Sequence, residues 1–397
     1  MNQKNDFGQP SVLIVDDNPK NLQILGVLLK NEGLGVEFAL DGKSALSWLG
    51  KNNFDLILLD VMMPVMDGFS VCSLIKKNPV TREIPIIFIT ATADSESIIK
   101  GFETGAVDYI TKPFIKSELL IRVKTQIEIK KVRDEIVRNL KEIEYKNMLI
   151  TGSIRYAKAI QTAVMKASHS GLTLFPEHFC LFLPRDIVSG DFYWFHKIDN
   201  KMLIGVFDCT GHGIPGAFMS ILGVTLLNET VIREKITDPH LILDRLREKI
   251  IEALGQKGIF PEVGDGMDGS LISYDMHFKR LVYSGAYNST YLIRNNEIIE
   301  FKGDKMPLSS HPIMAGFSSH EIETKPDDII YLFTDGYIDQ FGGKPVRKFR
   351  RSQLKELLMR NHKEPLKTQK RLLLDAYLNW QGREDQVDDI TIVGLRL

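Results

Sequence analysis

Several features of common protein classes are scarce or missing in this sequence of 397 residues. Its three cysteines, Cys72, Cys180 and Cys209, lie far apart and form no CxxC pair. This pattern excludes a disulfide framework and a thiolate zinc site, and it is typical of a reducing compartment. No run of about 18 consecutive apolar residues is present, so we expect no membrane span. The N-terminal segment MNQKNDFGQP has no apolar core, so we also expect no signal peptide.

An excess of charge of one sign is also missing. Lys and Arg together number 50 and Asp and Glu 51, which gives a net charge of −1. This balance argues against a chain that mainly coats nucleic acid and against an acidic disordered chain. The 44% hydrophobic and 25% charged content is ordinary for a globular protein. At about 150 residues per domain, the length predicts two or three domains.

Between residues 12 and 114, apolar runs alternate with segments of helical periodicity. The strand candidates are VLIVDD, VEFAL, LILLD, IPIIFIT and YITKPF. Continuous apolar strands that alternate with helices predict a doubly wound α/β fold, with a parallel five-stranded sheet covered on both faces. Ligands of such sheets gather at the carboxyl ends of the strands.

Polar side chains occupy these predicted strand ends, and they are Asp16, Asp17, Asp60, Thr90 and Lys112. Three neighbouring carboxylates repel one another unless a divalent cation lies among them. A cation, a lysine and a hydroxyl can together stabilise a phosphoryl group in transfer, and a carboxylate can accept that group. The alternative is that the aspartates only cap the following helices, which would account for Asp17 but not for the whole set.

Residues 10–125 resemble the receiver domain of two-component response regulators. The motifs that carry the resemblance are VDDN (15–18), LLDVMMPVMDG (58–68), ITA (89–91) and TKPF (111–114). The resemblance implies that a sensor histidine kinase is a partner and that Asp60 is the phosphoacceptor. It implies that Thr90 and Lys112 contact the phosphoryl group and that Tyr109 is the aromatic switch residue. The implied Mg²⁺ ligands are Asp16, Asp17 and Asp60.

A segment without proline or glycine follows, from residue 115 to residue 150. Apolar side chains recur in it with 3-4-4-3 spacing, at Ile129, Val132, Ile136, Leu140 and Ile143. The pattern predicts a helical linker over 115–165 with one apolar seam flanked by mixed charges. A solvated connecting helix with one buried stripe is one interpretation. The other, which we favour, is a coiled coil that forms a homodimer, since the seam has no other obvious partner.

Residues 170–397 form the predicted second domain, which is rich in strand candidates. These are FCLFLP, MLIGVFDC, GSLISYD, RLVYSGAY, TYLIR, DDIIYLFTD and DITIVGLRL. Helices are expected near 215–232, near 239–254 and before the last strand. Strands in sequence with helices grouped between them predict an α+β arrangement. This half leaves no room for a helix-turn-helix, so we expect no nucleic-acid partner.

Acidic residues recur at the edges of these strands, at Asp191, Asp208, Asp335, Asp388 and Asp389. Oxygen ligands without His or Cys suit Mg²⁺ or Mn²⁺ better than zinc. Four or more carboxylates carry more negative charge than one divalent ion neutralises, so we expect two ions. Two ions about 3.5–4 Å apart can activate a water molecule and hold a phosphate for in-line attack.

Two motifs near these residues admit more than one interpretation. Residues 211–216 match G-x-G-x-x-G, a dinucleotide-binding pattern, but no strand with a terminal acid follows about 20 residues later. We favour glycines that let the backbone approach the metal pair and begin a helix. Within this motif, His212 is either a loop histidine or a ligand or proton donor. The basic run KPVRKFRR (344–351) is either a solvated helix start or a substrate-docking surface.

Residues 150–397 resemble the SpoIIE-like branch of the metal-dependent, PPM-type protein serine/threonine phosphatases. The motifs are DIVSGDFYWF (186–195), FDCTGHGIPGAFMS (207–220), GDGMDGSL (264–271), KGDKMP (302–307), FTDGYIDQFGG (333–343) and VDDITIVG (387–394). The resemblance implies a β-sandwich flanked by helices, with a two-metal site between the sheets. It also implies hydrolysis without a covalent enzyme intermediate.

The same resemblance assigns the catalytic metal ligands, which are Asp191, Asp208, Asp335 and Asp388. It implies that Asp208 bridges two Mn²⁺ or Mg²⁺ ions and that the backbone carbonyl of Cys209 is a further ligand. Asp389 lies next to a ligand and is a weaker candidate. Asp265 and Asp268 are expected to cap a turn or shape a strand, with a third-metal role as the alternative.

Together, the two resemblances imply a cytoplasmic response regulator whose output domain is a phosphatase. Phosphorylation of Asp60 would act through Thr90, Tyr109 and the helical linker. The implied substrate is phosphoserine or phosphothreonine in an anti-sigma-factor antagonist of the STAS type. The competing hypothesis is a catalytically weak module that sequesters a partner under receiver control. Retention of all four proposed ligands argues against that hypothesis.

Overall fold

The computed structural model describes residues 9–91, 95–167, 175, 177–256 and 264–397. Residues 1–8, where we expect no signal peptide, and residue 170, where the second domain is predicted to begin, lie outside the described residues. The chain divides into two units, Met1–Asn147 and Met148–Leu397. The division falls within one long helix.

The first unit is built on a parallel five-stranded sheet with the strand order β2-β1-β3-β4-β5. The strands are β1 Ser11–Val15, β2 Gly35–Ala39, β3 Leu56–Asp60, β4 Ile86–Thr90 and β5 Asp108–Thr111. The helices between them are α1 Pro19–Lys30, α2 Gly42–Leu49, α3 Gly68–Lys77 and α4 Ser95–Glu103. The α/β prediction for this half is therefore confirmed.

Both faces of this sheet are buried, as the continuous apolar strands predict. Leu13 and Val15 of β1 pack into one core, and Val12 and Ile14 pack into the core on the opposite face. This follows from the alternation of side chains along a strand. The strand predicted as YITKPF is shorter than expected, because β5 ends at Thr111. Lys112 therefore begins the loop that follows the sheet.

Helix α5, Lys116–Ala167, is a single helix of 52 residues, which confirms the predicted long helix. The apolar seam predicted on it is about half exposed: Ile129 55%, Ile136 54%, Leu140 54% and Ile143 54%. Exposed apolar side chains at this spacing are what a coiled-coil partner would cover.

The second unit contains two antiparallel five-stranded sheets, with the orders β13-β10-β9-β8-β7 and β12-β11-β14-β17-β6. The strands are β6 His178–Leu183, β7 Phe192–Ile198, β8 Lys201–Cys209, β9 Met267–Asp275, β10 Arg280–Ala286, β11 Thr290–Arg294, β12 Glu297–Phe301, β13 His320–Glu323, β14 Ile329–Phe333, the short pair β15 Phe341–Gly342 and β16 Arg347–Lys348, and β17 Ile390–Arg396. The helices are α6 Gly213–Asn228, followed by a π-helical turn Glu229–Arg233, α7 Pro239–Ala253, α8 Gly336–Asp339, α9 Arg350–Asn361 and α10 Leu366–Gln381.

The two sheets pack face to face and helices cover their outer faces. Ile204 and Ile272 of one sheet share a buried cluster with Ile330 and Val393 of the other. Residues of α6 and α7 pack on the first sheet, and residues of α9 and α10 pack on the second. This is the predicted β-sandwich flanked by helices.

Sequence reasoning missed three strands of the sandwich, β7, β12 and β13. All three lie at sheet edges. The strands β12 (EIIEF) and β13 (HEIE) are short and carry two glutamates each, which weakens the apolar pattern that identifies a strand. The strand β7 (FYWFHKI) has a clear apolar pattern and was missed in spite of it. The basic run KPVRKFRR (344–351) contains the start of α9 at Arg350, in agreement with the helix-start interpretation, and it also contains the short strand β16, Arg347–Lys348, which was not expected.

One helical stretch among the described residues, Gly213–Arg233, has the length and hydropathy of a membrane span. Half of the most apolar part of this stretch is buried inside the protein. Ala217, Val224 and Leu227 are buried, and the latter two lie in the core against the first sheet of the sandwich. The high hydropathy of this stretch therefore matches its place in a protein core.

Candidate functional site

The acidic residues of the first unit lie together at the carboxyl edge of its sheet. Carboxylate oxygens of Asp16, Asp17 and Asp60 lie within 4.8 Å of one another. The Lys112 ammonium donates hydrogen bonds to Asp16 Oδ2 at 2.9 Å and to Asp60 Oδ2 at 2.7 Å. A compact set of hard oxygen ligands of this kind fits one Mg²⁺ ion.

Burial and hydrogen bonds shift the pKa values of Asp60 and Lys112 in opposite directions. Asp60 is 4% exposed, and burial raises the pKa of its carboxyl while the Lys112 hydrogen bond works in the opposite direction. Burial alone would lower the pKa of Lys112, but the hydrogen bonds to Asp60 and Asp16 outweigh it and raise that pKa. Thr90, at the end of β4, is buried, and Tyr109 lies on β5. All the side chains predicted for the first site therefore lie at or near this edge.

Asp191 is the most deeply buried acid of the predicted ligand set in the second unit, with 1% of its surface exposed. Its Oδ2 accepts hydrogen bonds of 2.7 Å from the hydroxyls of Thr334 and Thr391. Its other oxygen, Oδ1, is buried and has no hydrogen-bond partner among the described residues. Burial raises the pKa of Asp191 well above its usual value, and the charges of Asp389 and Asp388 add to the effect.

The pKa values of the other three predicted ligands, Asp208, Asp335 and Asp388, are also raised. Burial and the charges of Asp191, Asp335 and Asp388 raise the pKa of Asp208 well above normal. Burial also raises the pKa of Asp335 and of Asp388, and a hydrogen bond between the carboxyls of Asp335 and Asp208 works the other way for Asp335. When they are ionised, carboxylates that raise one another's pKa in this way repel one another, and a bound cation would relieve this repulsion.

Asp268 belongs to the same group through the sheet register. It lies directly opposite Asp208 in the β8–β9 pairing. Burial, with a contribution from the Asp335 charge, raises the pKa of Asp268 to about 7. Asp265 lies outside the sheet and accepts a hydrogen bond of 3.3 Å from the Thr210 hydroxyl.

Asp389 has a different position from its neighbour Asp388. Its Oδ1 accepts a hydrogen bond from the backbone N–H of Arg185 at 2.7 Å, and its Oδ2 accepts one from Gly190 at 2.6 Å. Both carboxylate oxygens are therefore used to hold the loop that precedes Asp191. Asp389 therefore stabilises the loop that carries Asp191.

The absence of a side chain at Gly190 allows the loop before Asp191 to pack closely against the loop that follows β8. A Cβ on Gly190 would lie 2.7 Å from the carbonyl oxygen of Gly211 and 3.3 Å from that of Cys209. A larger residue would push these carbonyls away. The Cys209 carbonyl, predicted as a ligand, therefore lies beside the Asp191 loop, while the Cys209 side chain is buried in the core.

His212 lies at the N-cap of α6, and its side chain contacts Asp186, which is not one of the predicted ligands. Its Nδ1 is 2.8 Å from Asp186 Oδ2, and both side chains are about half exposed. The α6 start at Gly213 agrees with the predicted role of the glycines in beginning a helix.

Sequence reasoning missed the hydroxyls of Thr334 and Thr391 and one residue of the long helix, Gln161. The threonines lie within or beside apolar strands, and only the β14–β17 pairing brings them to Asp191. Gln161 is buried, and its side-chain amide donates a hydrogen bond to the Ser189 carbonyl. Its position on the apolar face of a helix was the available signal.

Comparison with known families and structures identifies both units. A family profile of the response regulator receiver domain matches residues 12–124. A profile of Stage II sporulation protein E (SpoIIE) matches residues 198–397, slightly more than half of the chain. The chain belongs to the SpoIIE family. It is a response regulator with a receiver domain and a SpoIIE output domain of the PPM phosphatase type, which confirms both resemblances.

The SpoIIE domain also resembles a solved structure, the SiaA-PP2C domain of Pseudomonas aeruginosa. That similarity has 30% identity and a TM-score of 0.58, and it covers 64% of this chain and 98% of the other. The fold of the second unit is therefore that of a PP2C domain. The family typically depends on Mg²⁺ or Mn²⁺.

Curated relatives match over shorter segments. Response regulator PleD of Caulobacter vibrioides is 43% identical over 125 residues, which are 32% of this chain and 28% of that protein. A probable cyclic di-GMP phosphodiesterase of Vibrio cholerae is 37% identical over 153 residues, 38% of this chain and 34% of that protein. The chain thus spans only 28% and 34% of the length of these two relatives.

The residues of the second unit fit the ions that the SpoIIE family implies. All of the predicted ligand atoms are oxygens, which suits Mg²⁺ or Mn²⁺. The unpartnered Asp191 Oδ1 is a buried acceptor that lacks a donor, and such an atom is costly unless a cation or donor satisfies it. Among the described residues, no three carboxylates of this unit converge as tightly as Asp16, Asp17 and Asp60.

Proposed function

We propose that this protein is a metal-dependent phosphatase that removes phosphate from serine or threonine of a protein, under the control of Asp60. The observation that carries the proposal is Asp191, a buried carboxylate with one oxygen fixed by two threonines and the other oxygen left for a cation. Family membership supports the reaction class, and the receiver domain supports a sensor histidine kinase as a partner.

The ligand set proposed for the phosphatase site is Asp191, Asp208, Asp335, Asp388 and the Cys209 backbone carbonyl. Asp208 would be shared by both ions, as the resemblance to the PPM-type phosphatases implies, and the charges of the other three carboxylates raise its pKa. When two Mn²⁺ or Mg²⁺ ions are bound, the chemistry they supply is activation of water and neutralisation of phosphate charge. The threonine hydroxyls keep Asp191 in one orientation, and Asp389 holds the loop on which it lies.

In the first unit, Asp60 is the proposed phosphoacceptor, with Mg²⁺ held by Asp16, Asp17 and Asp60. The Lys112 ammonium, 2.7 Å from Asp60 Oδ2, is placed to contact a phosphoryl group there. Thr90 and Tyr109 are the proposed switch residues. The proposed division of the chain is a receiver over 10–125, a helical linker over 115–165 and a phosphatase over 170–397.

The proposed assembly is a homodimer through the seam on α5, whose apolar residues are about half exposed in the single chain. The proposed location is the cytoplasm, where receivers meet the kinases that phosphorylate them. The proposed substrate is a phosphorylated anti-sigma-factor antagonist of the STAS type, on the strength of the SpoIIE family alone.

The test is phosphate release from a phosphoserine protein by the full chain in Mn²⁺, before and after treatment with acetyl phosphate. We expect metal-dependent release, and a rate that changes after treatment in the wild type but not in Asp60→Asn. The matched control is Asp67→Asn, since Asp67 only caps α3. Release that is unaffected by acetyl phosphate would contradict the gating. Absence of release in every state would favour the partner-binding hypothesis.

A further inference from the structure

The run KPVRKFRR, residues 344–351, contains five cationic side chains and no acid. All five are exposed, and we call them the basic surface: Lys344, Arg347, Lys348, Arg350 and Arg351. This is a strong local excess of positive charge in a chain whose net charge is −1. A local excess of this kind attracts anionic groups and raises their concentration near the surface.

The basic surface lies beside the loop that carries a proposed metal ligand. Asp335 is followed directly by α8, and the Asp339 N–H donates a hydrogen bond of 3.0 Å to the Asp335 carbonyl. The Lys348 ammonium in turn donates a hydrogen bond of 2.9 Å to Asp339 Oδ2. Burial raises the pKa of Asp335, and the charge of Lys348 opposes this shift. The basic surface therefore borders the candidate metal site.

The hairpin β15–β16, which carries part of the basic surface, is held in place by Gln340. This side chain is fully buried. Its Nε2 donates to the Asp385 carbonyl at 2.8 Å, and its Oε1 accepts from the Tyr377 hydroxyl at 2.8 Å. The Gln340 carbonyl accepts a further hydrogen bond of 3.0 Å from the N–H of Phe349. Because the hairpin is already ordered, a ligand that binds to it loses little affinity to ordering of the protein.

Three of the five cations have no carboxylate partner among residues 264–397 or the other described ranges. Lys348 pairs with Asp339, and an Arg351 nitrogen lies 4.0 Å from Glu300. The Arg347 guanidinium lies over the Trp380 ring instead, 5.7 Å from the ring centre. The cations without a carboxylate within 4.0 Å are Lys344, Arg347 and Arg350. These three are available for the anionic groups of a partner.

The start of a helix in this run does not explain its charge. Helix α9 begins at Arg350, so that Arg350 and Arg351 occupy its first turn, which contains no acid. Positive side chains are unfavourable there, because the helix dipole already places positive charge at that end. Arg350 also has a φ of +71°, in the left-handed region that residues with a side chain rarely adopt. Helix stability therefore gives no reason for two arginines at this position.

We propose that the basic surface docks an acidic segment of the phosphoprotein substrate, next to the phosphoserine or phosphothreonine that enters the metal site. The inference rests on the proposed function and adds a substrate class to it, a phosphorylation site flanked by glutamate or aspartate. Carboxylates of such a segment complement the charges of Lys344, Arg347 and Arg350, which lack partners in this protein. The basic surface selects the substrate and takes no part in hydrolysis.

The test compares two phosphoserine peptides of equal length, one flanked by glutamates and one by glutamines, as substrates of the full chain in Mn²⁺. A third substrate, p-nitrophenyl phosphate, has no flanking segment and reports on the metal centre itself. The triple variant combines Lys344→Gln, Arg347→Gln and Arg350→Gln. In it, kcat/KM for the glutamate peptide relative to p-nitrophenyl phosphate should fall about tenfold, since each exposed ion pair contributes roughly two- to threefold. The same ratio for the glutamine peptide should not change.

The matched control removes three exposed lysines near the opposite end of α9, with Lys363→Gln, Lys367→Gln and Lys370→Gln. That end lies at the turn between β11 and β12, where His362 Nε2 is 2.8 Å from Asn296 Oδ1. The control variant should keep the ratio of the wild type for the glutamate peptide. Equal ratios in the wild type and in the triple variant of the basic surface would overturn the inference.

Docking is also measured without turnover, by fluorescence anisotropy of the dye-labelled glutamate phosphopeptide with Asp208→Asn protein. Adding the triple substitution to this protein should weaken peptide binding about tenfold. Unchanged affinity would overturn the inference, and so would tighter binding of a single-stranded oligonucleotide of the same charge. A wild type that binds the glutamate peptide but hydrolyses none of the three substrates would overturn the proposed function instead.

Discussion

Thr391 donates a hydrogen bond of 2.7 Å to Oδ2 of Asp191, although 200 residues separate the two in the sequence. Thr334 donates a second bond of 2.7 Å to the same oxygen. The two hydroxyls fix the carboxylate plane of a buried acid and leave Oδ1 without a donor among the described residues. If Asp191 is a metal ligand as proposed, these two hydrogen bonds would restrict the rotation of its carboxylate before a cation binds.

Removal of the Thr391 hydroxyl should therefore weaken metal binding. In Thr391→Val, which has nearly the same shape, we expect the Mn²⁺ dissociation constant of the second unit to rise about tenfold. Titration calorimetry on the full chain measures this change. Thr225→Val is the matched control, because the Thr225 hydroxyl bonds to the Ile221 carbonyl of its own helix. Equal Mn²⁺ affinity in wild type and Thr391→Val would show that the hydroxyl does not orient the ligand.

The clustered carboxylates should destabilise the protein when no metal is present. The pKa of Asp208 is raised in the folded state, so its ionised form at pH 7 lowers the free energy of unfolding. In EDTA, Asp208→Asn should unfold about 2–4 °C above the wild type, the shift for about 1 kcal/mol in a domain of this size. With Mn²⁺ added, the order should reverse, because the wild type gains more from binding. Scanning calorimetry with and without Mn²⁺ tests both halves. An Asp208→Asn protein that is less stable than the wild type in EDTA would contradict the repulsion.

The pH dependence of the metal-free protein should report on Asp268. Its folded-state pKa is about 7, above the usual 3.8, so the folded state binds this proton more tightly than the unfolded state. The contribution to stability is therefore fully present at low pH and is lost as the pH rises through about 7. Asp268→Asn should thus be more stable than the wild type at pH 8 and gain less at pH 5, as measured by unfolding in EDTA.

The other end of the same strand provides the control for this prediction. Asp275 accepts hydrogen bonds from the backbone N–H groups of His277 and Phe278, and the Phe278 bond lowers its pKa. Asp275→Asn should therefore show no gain in stability at pH 8. A gain of the same size in both variants would mean that the effect comes from net charge and not from the site.

The seam on α5 makes a prediction about oligomeric state. Leu140 is 54% exposed in the single chain, and a glutamate there would be buried in a coiled-coil dimer at high cost. By sedimentation velocity, the wild type should have twice the mass of the chain and Leu140→Glu the mass of one chain. Lys141→Glu, one residue on, should remain dimeric. A monomeric wild type would contradict the coiled-coil interpretation and favour the solvated connecting helix.

The sequence predicts ligand-type residues at strand ends more readily than the residues that support them. Asp16 and Asp60 could be placed together in advance, because the carboxyl ends of parallel strands share one edge. Thr334 and Thr391 could not, since a threonine in an apolar strand is common and the pairing of β14 with β17 is a long-range event. The role of Asp389 could not be predicted either, because only the folded loop reveals its bonds to Arg185 and Gly190.

The measurement closest to the central claim is Mn²⁺-dependent phosphate release from a phosphoserine protein by the wild type and by Asp191→Asn and Asp208→Asn. Asp265→Asn is the matched control, since Asp265 is an exposed acid bonded to Thr210. We predict release that requires metal, falls at least about a hundredfold in both variants and persists in the control, because loss of a ligand removes the ions that activate the attacking water. Wild-type rates in Asp191→Asn and Asp208→Asn would contradict the account of this cluster as a hydrolytic metal centre.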